Sequence, residues 1–299
     1  MTLEKDDLET STTPLPPTTT PKPSVEEIRL HDGITPSAYR LDIISDHENN
    51  VFNGTISIDI TVNDTSGPVT ELRIHCKDLN IIDYQLVDTD NNAAAVTIKS
   101  LTIDTRLELC IFNLAQNYNK ALNSGSYTLT IQYGGLFVPG QIIGFYKSNY
   151  TTIDGELRFL TATKFEPTYA RMAFPCFDEP GFKATWDISV THPSEMIALS
   201  NEGELYTTST ARPPSSSVSN SWSKTTFKRT PKMATYLVAF IVSDFKYTET
   251  RTTFGTRVRV YSRPDQVAKT EYATETAATV LRYFEDYTGI QYPLSKLGK

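Results

Sequence analysis

Cysteine is scarce in this chain: Cys76, Cys110 and Cys176 are the only three in 299 residues. An odd count this low excludes a disulfide framework, and no Cys-x-x-Cys pair is present to hold a zinc knuckle or a thioredoxin-like redox site. A single Cys76–Cys110 bridge with Cys176 free is compatible with the count, and so are buried thiols without any bridge. Long apolar runs are also missing. The longest, Tyr236–Val242, has the length of a strand, far from the roughly 20 residues of a membrane span. The opening MTLEKDD lacks the hydrophobic core of an export signal. No lysine or arginine run occurs, and the formal net charge is −7. That excludes a nucleic-acid binder, which needs a basic face to displace counterions from phosphate. Histidine is limited to His31, His47, His75 and His192, no two of them four apart.

What is present divides into three stretches. Residues Thr10–Pro23 are almost entirely Thr, Ser and Pro, a composition that cannot bury apolar surface, so residues 1–28 are expected to be a disordered stalk. From about Arg29 short alternating runs begin. In Thr55–Val62 the residues Ile56, Ile58, Ile60 and Val62 share one face at period two. Similar runs follow at Tyr39–Ile43, Leu72–Cys76, Ile81–Val87, Ala95–Ile103, Leu107–Phe112 and Tyr127–Tyr133, and again at Leu157–Thr163, Thr185–Val190, Thr235–Val242 and Arg257–Tyr261. Many short strands broken by Gly, Pro, Asn and Ser predict a mainly β domain, a sandwich or barrel-like sheet assembly, over residues 29–250. Thr207–Ser221 is polar and predicts a long surface loop.

The pattern changes near Asp265. Ala273, Ala277, Val280, Leu281 and Phe284 recur at helical spacing, with Pro264 at the start and Gly289 at the stop. A lone helix after a β region, closed ten residues later by Lys299, predicts the incomplete start of a second domain over 251–299. Its apolar face needs a cover, so the stretch 265–288 is expected to be mobile, docked on the β-domain or used for self-association.

The segment Thr161-Ala-Thr-Lys-Phe-Glu-Pro-Thr-Tyr-Ala-Arg-Met-Ala-Phe-Pro-Cys-Phe-Asp-Glu-Pro180 resembles the signature run of aminopeptidase N-type zinc metallopeptidases. The resemblance continues through Phe182–Ile188 and His192-Pro193, and appears upstream in Tyr39-Arg40-Leu41 and Gly144–Ser148. Downstream it covers Met233–Phe240 and Phe284–Leu297, so that it spans about Arg29 to Leu297 in order. It implies a saddle-shaped β-rich N-terminal domain followed by a thermolysin-like catalytic domain, and an enzyme that removes N-terminal residues from peptides with one zinc ion. In that chemistry two histidines a helical turn apart and a further carboxylate bind the metal, and a Glu between the histidines activates water. Neither His-Glu-x-x-His nor the family's Gly-x-Met-Glu-Asn loop occurs in these residues. His47-Glu48 begins the zinc pattern, but Val51 stands where the second histidine belongs, in what reads as a solvated hairpin tip. Residues 1–299 are therefore expected to bind no zinc and to be inactive alone, with zinc supplied to a longer relative.

By the same resemblance Glu166 falls where the family places the Glu or Gln that holds a substrate's α-amino group, a task suited to a carboxylate; a structural Glu paired to a neighbour is the plain alternative. Lys164 stands where the family usually carries Gln, beside the pocket for the first side chain. If the segment is a strand, both side chains point the same way. Lys164 then implies altered specificity, for instance for acidic first residues, or a lost activity and a binding or scaffold role; otherwise it simply reaches solvent. Arg171, Asp178 and Glu179 are expected to form a structural ion network, Cys176 to be a packed thiol, and Phe174, Phe177, Phe182 and Trp186 to be core. Asn53, Asn63 and Asn149 head three sequons in turn-like settings. With the Thr/Pro stalk they point to an extracellular or cell-surface ectodomain, against the missing signal.

Overall fold

The computed structural model describes residues 23–63, 69–114, 122–214, 216 and 221–298. Most of the expected stalk lies outside these residues. Its last part is ordered, contrary to expectation: Ser24 and Glu27 close a capping box on the short helix α1 (Val25–Ile28), and Glu27 pairs with Arg106.

The first half of the chain forms β1 (Ile34–Asp46), β2 (Val51–Val62), β3 (Glu71–His75), β4 (Asn80–Asp88), β5 (Ala94–Val96), β6 (Ile98–Asp104), β7 (Leu109–Leu114) and β8 (Gly125–Leu136). The second half forms β9 (Gly144–Thr151), β10 (Leu157–Lys164), β11 (Thr185–Pro193), β12 (Ile197–Ser200), β13 (Glu204–Thr210), β14 (Trp222–Phe227) and β15 (Phe240–Ser243). After these come β16 (Lys246–Arg251), β17 (Arg257–Ser262), helix α2 (Glu271–Thr288) and β18 (Lys296–Gly298). The protein is mainly β, as the alternation predicts, and none of its four sheets closes into a barrel among the described residues.

The largest sheet runs β13-β14-β11-β1-β2-β8-β4-β5. β2 buries every second residue, with Phe52, Gly54, Ile56, Ile58, Ile60 and Val62 turned inward. At its start β2 trades volume with β8 across three consecutive register pairs: Phe52 faces Gly135, Asn53 faces Gly134, and Gly54 faces Tyr133. A Cβ on Gly135 would sit 2.1 Å from the Phe52 ring, and one on Gly54 would sit 2.4 Å from the Tyr133 hydroxyl. Each glycine thus makes room for the large residue opposite. A second sheet, β12-β15-β10-β9, packs on the inner face of the first. The layers meet through Phe52, Phe145, Phe240 and Phe165, whose ring centroids step 5.3, 4.8 and 6.0 Å apart, and through a buried Ser45–Thr161 hydrogen bond. A third sheet, β3-β7-β6, holds the Cys76–Cys110 disulfide, while Cys176 is a free buried thiol.

Several local expectations change. Thr207–Thr210 belongs to β13 rather than to a loop, because it pairs with β14 in register. Thr235–Val242 is not one strand: Thr235–Leu237 is a 3-10 turn and only Phe240–Ser243 pairs. Asp46 and His47 are buried rather than solvated, since Asp46 caps the hairpin turn through Asn49 and His47 packs beside Phe159.

β16, β17 and β18 make a separate sheet that carries α2. A 3-10 stretch, Pro264–Thr270, precedes the helix, and Gly289 ends it in the left-handed conformation. The side of α2 toward this sheet is Thr274, Ala277, Leu281 and Glu285, with Thr274 and Glu285 buried. Ala273, Val280 and Phe284 of the expected apolar set are exposed instead. Spacing recovered the helix but not its seating, because aromatic and aliphatic residues occupy both sides. No described helix is long and apolar enough to cross a membrane.

Candidate functional site

The Lys164–Pro180 segment leaves the second sheet and is stitched into three other parts of the fold. Strand β10 ends at Lys164, held opposite Gly144. Gly144 has φ 69°, and a Cβ there would lie 2.8 Å from Met172. Phe165 turns inward against Phe174 and Phe240 and anchors the chain. The residues that follow form a turn closed by the Tyr169 N–H donating to the Phe165 carbonyl at 2.7 Å, with Glu166–Pro167 cis. Glu166 sits in this turn.

Strand alternation therefore does not carry to Glu166, because the strand stops two residues earlier. Lys164 and Glu166 are nonetheless both exposed. Neither side chain forms a hydrogen bond or ion pair with a described residue, and they do not pair with each other. The plain alternative of a structural Glu paired with a neighbour is not what is found. The end of β10 and the turn after it thus present a cation and a carboxylate to solvent, both unpaired among the described residues, on either side of a buried hydrophobic anchor.

Behind the turn lies a polar network. The Arg171 guanidinium donates to Asp178 at 3.0 Å and to Glu108 at 3.0 Å, with only 10% and 1% of the Arg171 and Asp178 side chains exposed. The Thr235 hydroxyl donates to the other Asp178 oxygen at 2.7 Å, and Lys77 pairs with Glu108. Glu179 does not join this network as expected. It pairs with Arg29 at 2.8 Å and accepts from the Leu30 N–H, fastening the start of the β-domain instead. Glu108, on a positive-φ corner before β7, supplies the missing second carboxylate. Nothing in the sequence near Leu107-Glu108 announces that partnership.

His75 joins the same region. Its backbone pairs with Cys176 in both directions, and its Nδ1 accepts from the Asp178 N–H at 3.1 Å. Burial and the Arg171 charge push its pKa down to about 3. The unfolded chain takes up this proton near pH 6.5 while the folded protein resists it. The unfolded state therefore binds more protons between those values, and stability falls as pH drops through that window. Urea titrations between pH 7 and 5 should show this loss, and His75→Asn, which keeps an acceptor for Asp178, should flatten it. Cys176 is a packed thiol as expected, with burial raising its pKa well above the ordinary value.

Two of the buried histidines of the described residues are engaged elsewhere. His75 is committed to Asp178, and both ring nitrogens of His192 lie at 2.9 Å from Pro193 and Thr225 oxygens. Among the described residues no three His, Cys, Asp or Glu side chains come together to hold a metal ion.

The sequons differ in setting. Asn53 lies within β2 and is half-buried, Asn149 is exposed on the edge strand β9, and Asn63 is exposed after β2. Only Asn63 fits the turn-like expectation, and the rest of its sequon lies outside the described residues.

Known proteins are similar to this chain in sequence. Residues 35–237 match the model of the Peptidase M1 N-terminal domain. Mouse glutamyl aminopeptidase is 34% identical over 274 residues, covering 92% of this chain and 28% of that protein. Human endoplasmic reticulum aminopeptidase 1 is 36% identical over 270 residues, covering 90% of this chain and 27% of that protein. Aminopeptidase A of Gloydius brevicauda is 34% identical over 271 residues, covering 91% of this chain and 27% of that protein. The chain thus spans little more than a quarter of the length of these relatives.

Proposed function

The chain belongs to the peptidase M1 family, and from that premise we propose that it is the N-terminal portion of a zinc-dependent aminopeptidase that removes N-terminal residues from peptides. In this reading residues 1–299 receive the substrate's free end and do not cut it. Zinc and the water-activating carboxylate belong to a catalytic domain in the same polypeptide, and residues 1–299 release no amino acid alone. We place the domain division just before Lys246, because every strand partner of β16 lies downstream of it. Passage through the secretory pathway, to an ectodomain or a lumen, is part of the proposal and rests on the three sequons.

The observation that carries the reading is the exposed, unpaired Glu166 in a turn anchored by Phe165 and backed by the Arg171–Asp178 network. A carboxylate so placed can accept hydrogen bonds from an ammonium without first breaking a bond to its own protein. Lys164 supports a substrate class. A cation near the first side chain would attract a carboxylate there, and would repel a basic one by roughly 1–4 kcal/mol at 4 Å, depending on the local dielectric. Peptides beginning with Glu or Asp are therefore the proposed substrates.

The test is kinetic, in a polypeptide carrying both domains. Glu166→Ala should lower kcat/KM about ten- to a hundred-fold, the value of a charge-assisted hydrogen bond of roughly 1.5–3 kcal/mol. Lys164→Gln should shift preference from acidic toward neutral first residues. Full activity of Glu166→Ala would remove the assigned role. The same free Lys164 favours a second reading, a binding or scaffold module of the family without peptidase activity, in which case a two-domain form would capture acidic peptides but not cleave them.

A further inference from the structure

The outer face of the eight-stranded sheet carries a groove of about 470 Å³ bordered by residues 211–214, just after β13. That volume is within the range of small-ligand sites, roughly 300–1,000 Å³. The groove crosses β14, β11, β1, β2 and β8, and Asn53 of the Asn53-Gly54-Thr55 sequon lies in it. The setting follows from the pleat: Phe52 and Gly54 turn inward, so Asn53 and Thr55 turn outward. Asn53 pairs in register with Gly134, and a Cβ on Gly134 would lie 2.9 Å from the Asn53 side-chain oxygen. The glycine opposite is what lets the amide lie over the sheet. The Asn53 side chain forms no hydrogen bond with a described residue.

The walls suit one chemistry. Gln132, Thr55 and Thr191 offer amide and hydroxyl groups, and the Asp42–Lys224 ion pair adds an acceptor and a donor at one side. Ile44, Ile82 and Pro213 offer apolar surface. A pyranose needs this mixture, having C–H faces and a rim of hydroxyls. We propose that the groove seats the first N-acetylglucosamine of an N-glycan on Asn53, so that this glycan is packed against the sheet while one on Asn149 is free.

The modification is ordinary amide glycosylation on the extended chain before folding. The Asn53 Nδ2 forms a bond to the anomeric carbon of a lipid-pyrophosphate-linked oligosaccharide. The C–O bond to the pyrophosphate breaks, the pyrophosphate leaves with the electron pair, and the amide nitrogen loses one proton. Folding then brings the attached sugar to the groove, because Asn53 lies on the outward side of β2 and lines it.

The inference rests on the proposed secretory route, and the test separates the two. The full chain would be secreted from eukaryotic cells, and site occupancy would be read by glycopeptide mass spectrometry. The native protein would then be treated with peptide N-glycosidase. The expected result is an occupied Asn53 whose glycan is released at least tenfold more slowly than that of Asn149, with equal rates after denaturation. A paired Gln132→Ala, Ile82→Ser variant, altering the groove and leaving the sequon, should bring the Asn53 rate toward that of Asn149. Occupied Asn149 with an empty Asn53, equal native rates, or slow release that the variant leaves unchanged would each overturn the seat. No occupancy at any sequon would overturn the secretory route and the seat together.

Discussion

Trp186→Ala is expected to lower the free energy of unfolding by about 3–5 kcal/mol, the range for deleting a fully buried large aromatic side chain. Trp186 stands in β11, opposite Tyr39 of β1 in the parallel register. Its ring is fully buried, stacked on Tyr39 at 4.0 Å with an interplanar angle of 3°, and tilted against Phe174 at 5.4 Å. The backbone around it has little freedom to collapse, since the Trp186 N–H is tied to Thr230 and its carbonyl accepts from the Thr230 N–H. The cavity should therefore stay largely open. It would also loosen Tyr39, whose hydroxyl accepts from the Phe177 N–H. Domain stabilities of roughly 5–15 kcal/mol make such a loss a large fraction of the total. Urea unfolding should show a lower midpoint with an unchanged slope. A loss below about 1 kcal/mol would contradict the packing described.

Arg171→Ala should cost a comparable amount, about 3–5 kcal/mol, for a different reason. Removing the guanidinium leaves Asp178 almost wholly buried, with only the Thr235 hydroxyl and the Arg171 N–H, the latter at 3.4 Å, donating to its carboxylate among the described residues. An uncompensated buried charge, rather than lost attraction, sets the magnitude. Arg171→Ala with Asp178→Ala should therefore be less destabilising than the sum of the two single variants, which a double-mutant cycle reads directly. Additive losses would mean that the two side chains act independently. Through Phe165 and Tyr169 the same variant should disorder the turn that carries Glu166. Local amide exchange at residues 165–170 should then rise more than exchange in β2.

The parts of this fold legible in the sequence were those governed by period-two burial. β2 was visible because Ile56, Ile58, Ile60 and Val62 face one way, and the register with β1 and β8 keeps them there. Strands such as β9 and β13 were not, because Gly144–Thr151 and Glu204–Thr210 have no apolar alternation and are held by backbone pairing at sheet edges. Helix α2 showed its period but not its docked side, since Tyr272, Val280, Tyr283 and Tyr287 are exposed beside the small residues that pack. Lys164 and Glu166 were found only through the resemblance of the whole Thr161–Pro180 segment; as isolated residues they carry no signal. Lys164 and Glu166 are both exposed on either side of buried Phe165, although Glu166 belongs to the turn after β10 and not to the strand. Glu108 was beyond reach, because its partner Arg171 is 63 residues away and only the fold brings them together.

Whether this chain is the receiving part of a zinc aminopeptidase is tested most directly by the reading frame beyond the Lys299 codon in the source transcript. The prediction is a frame that continues into Gly-x-Met-Glu-Asn and His-Glu-x-x-His, a pairing that would supply the metal site the described residues do not form. A stop codon directly after Lys299 in every transcript would contradict it, and would leave Glu166 and Lys164 as the binding face of a module that does not cleave.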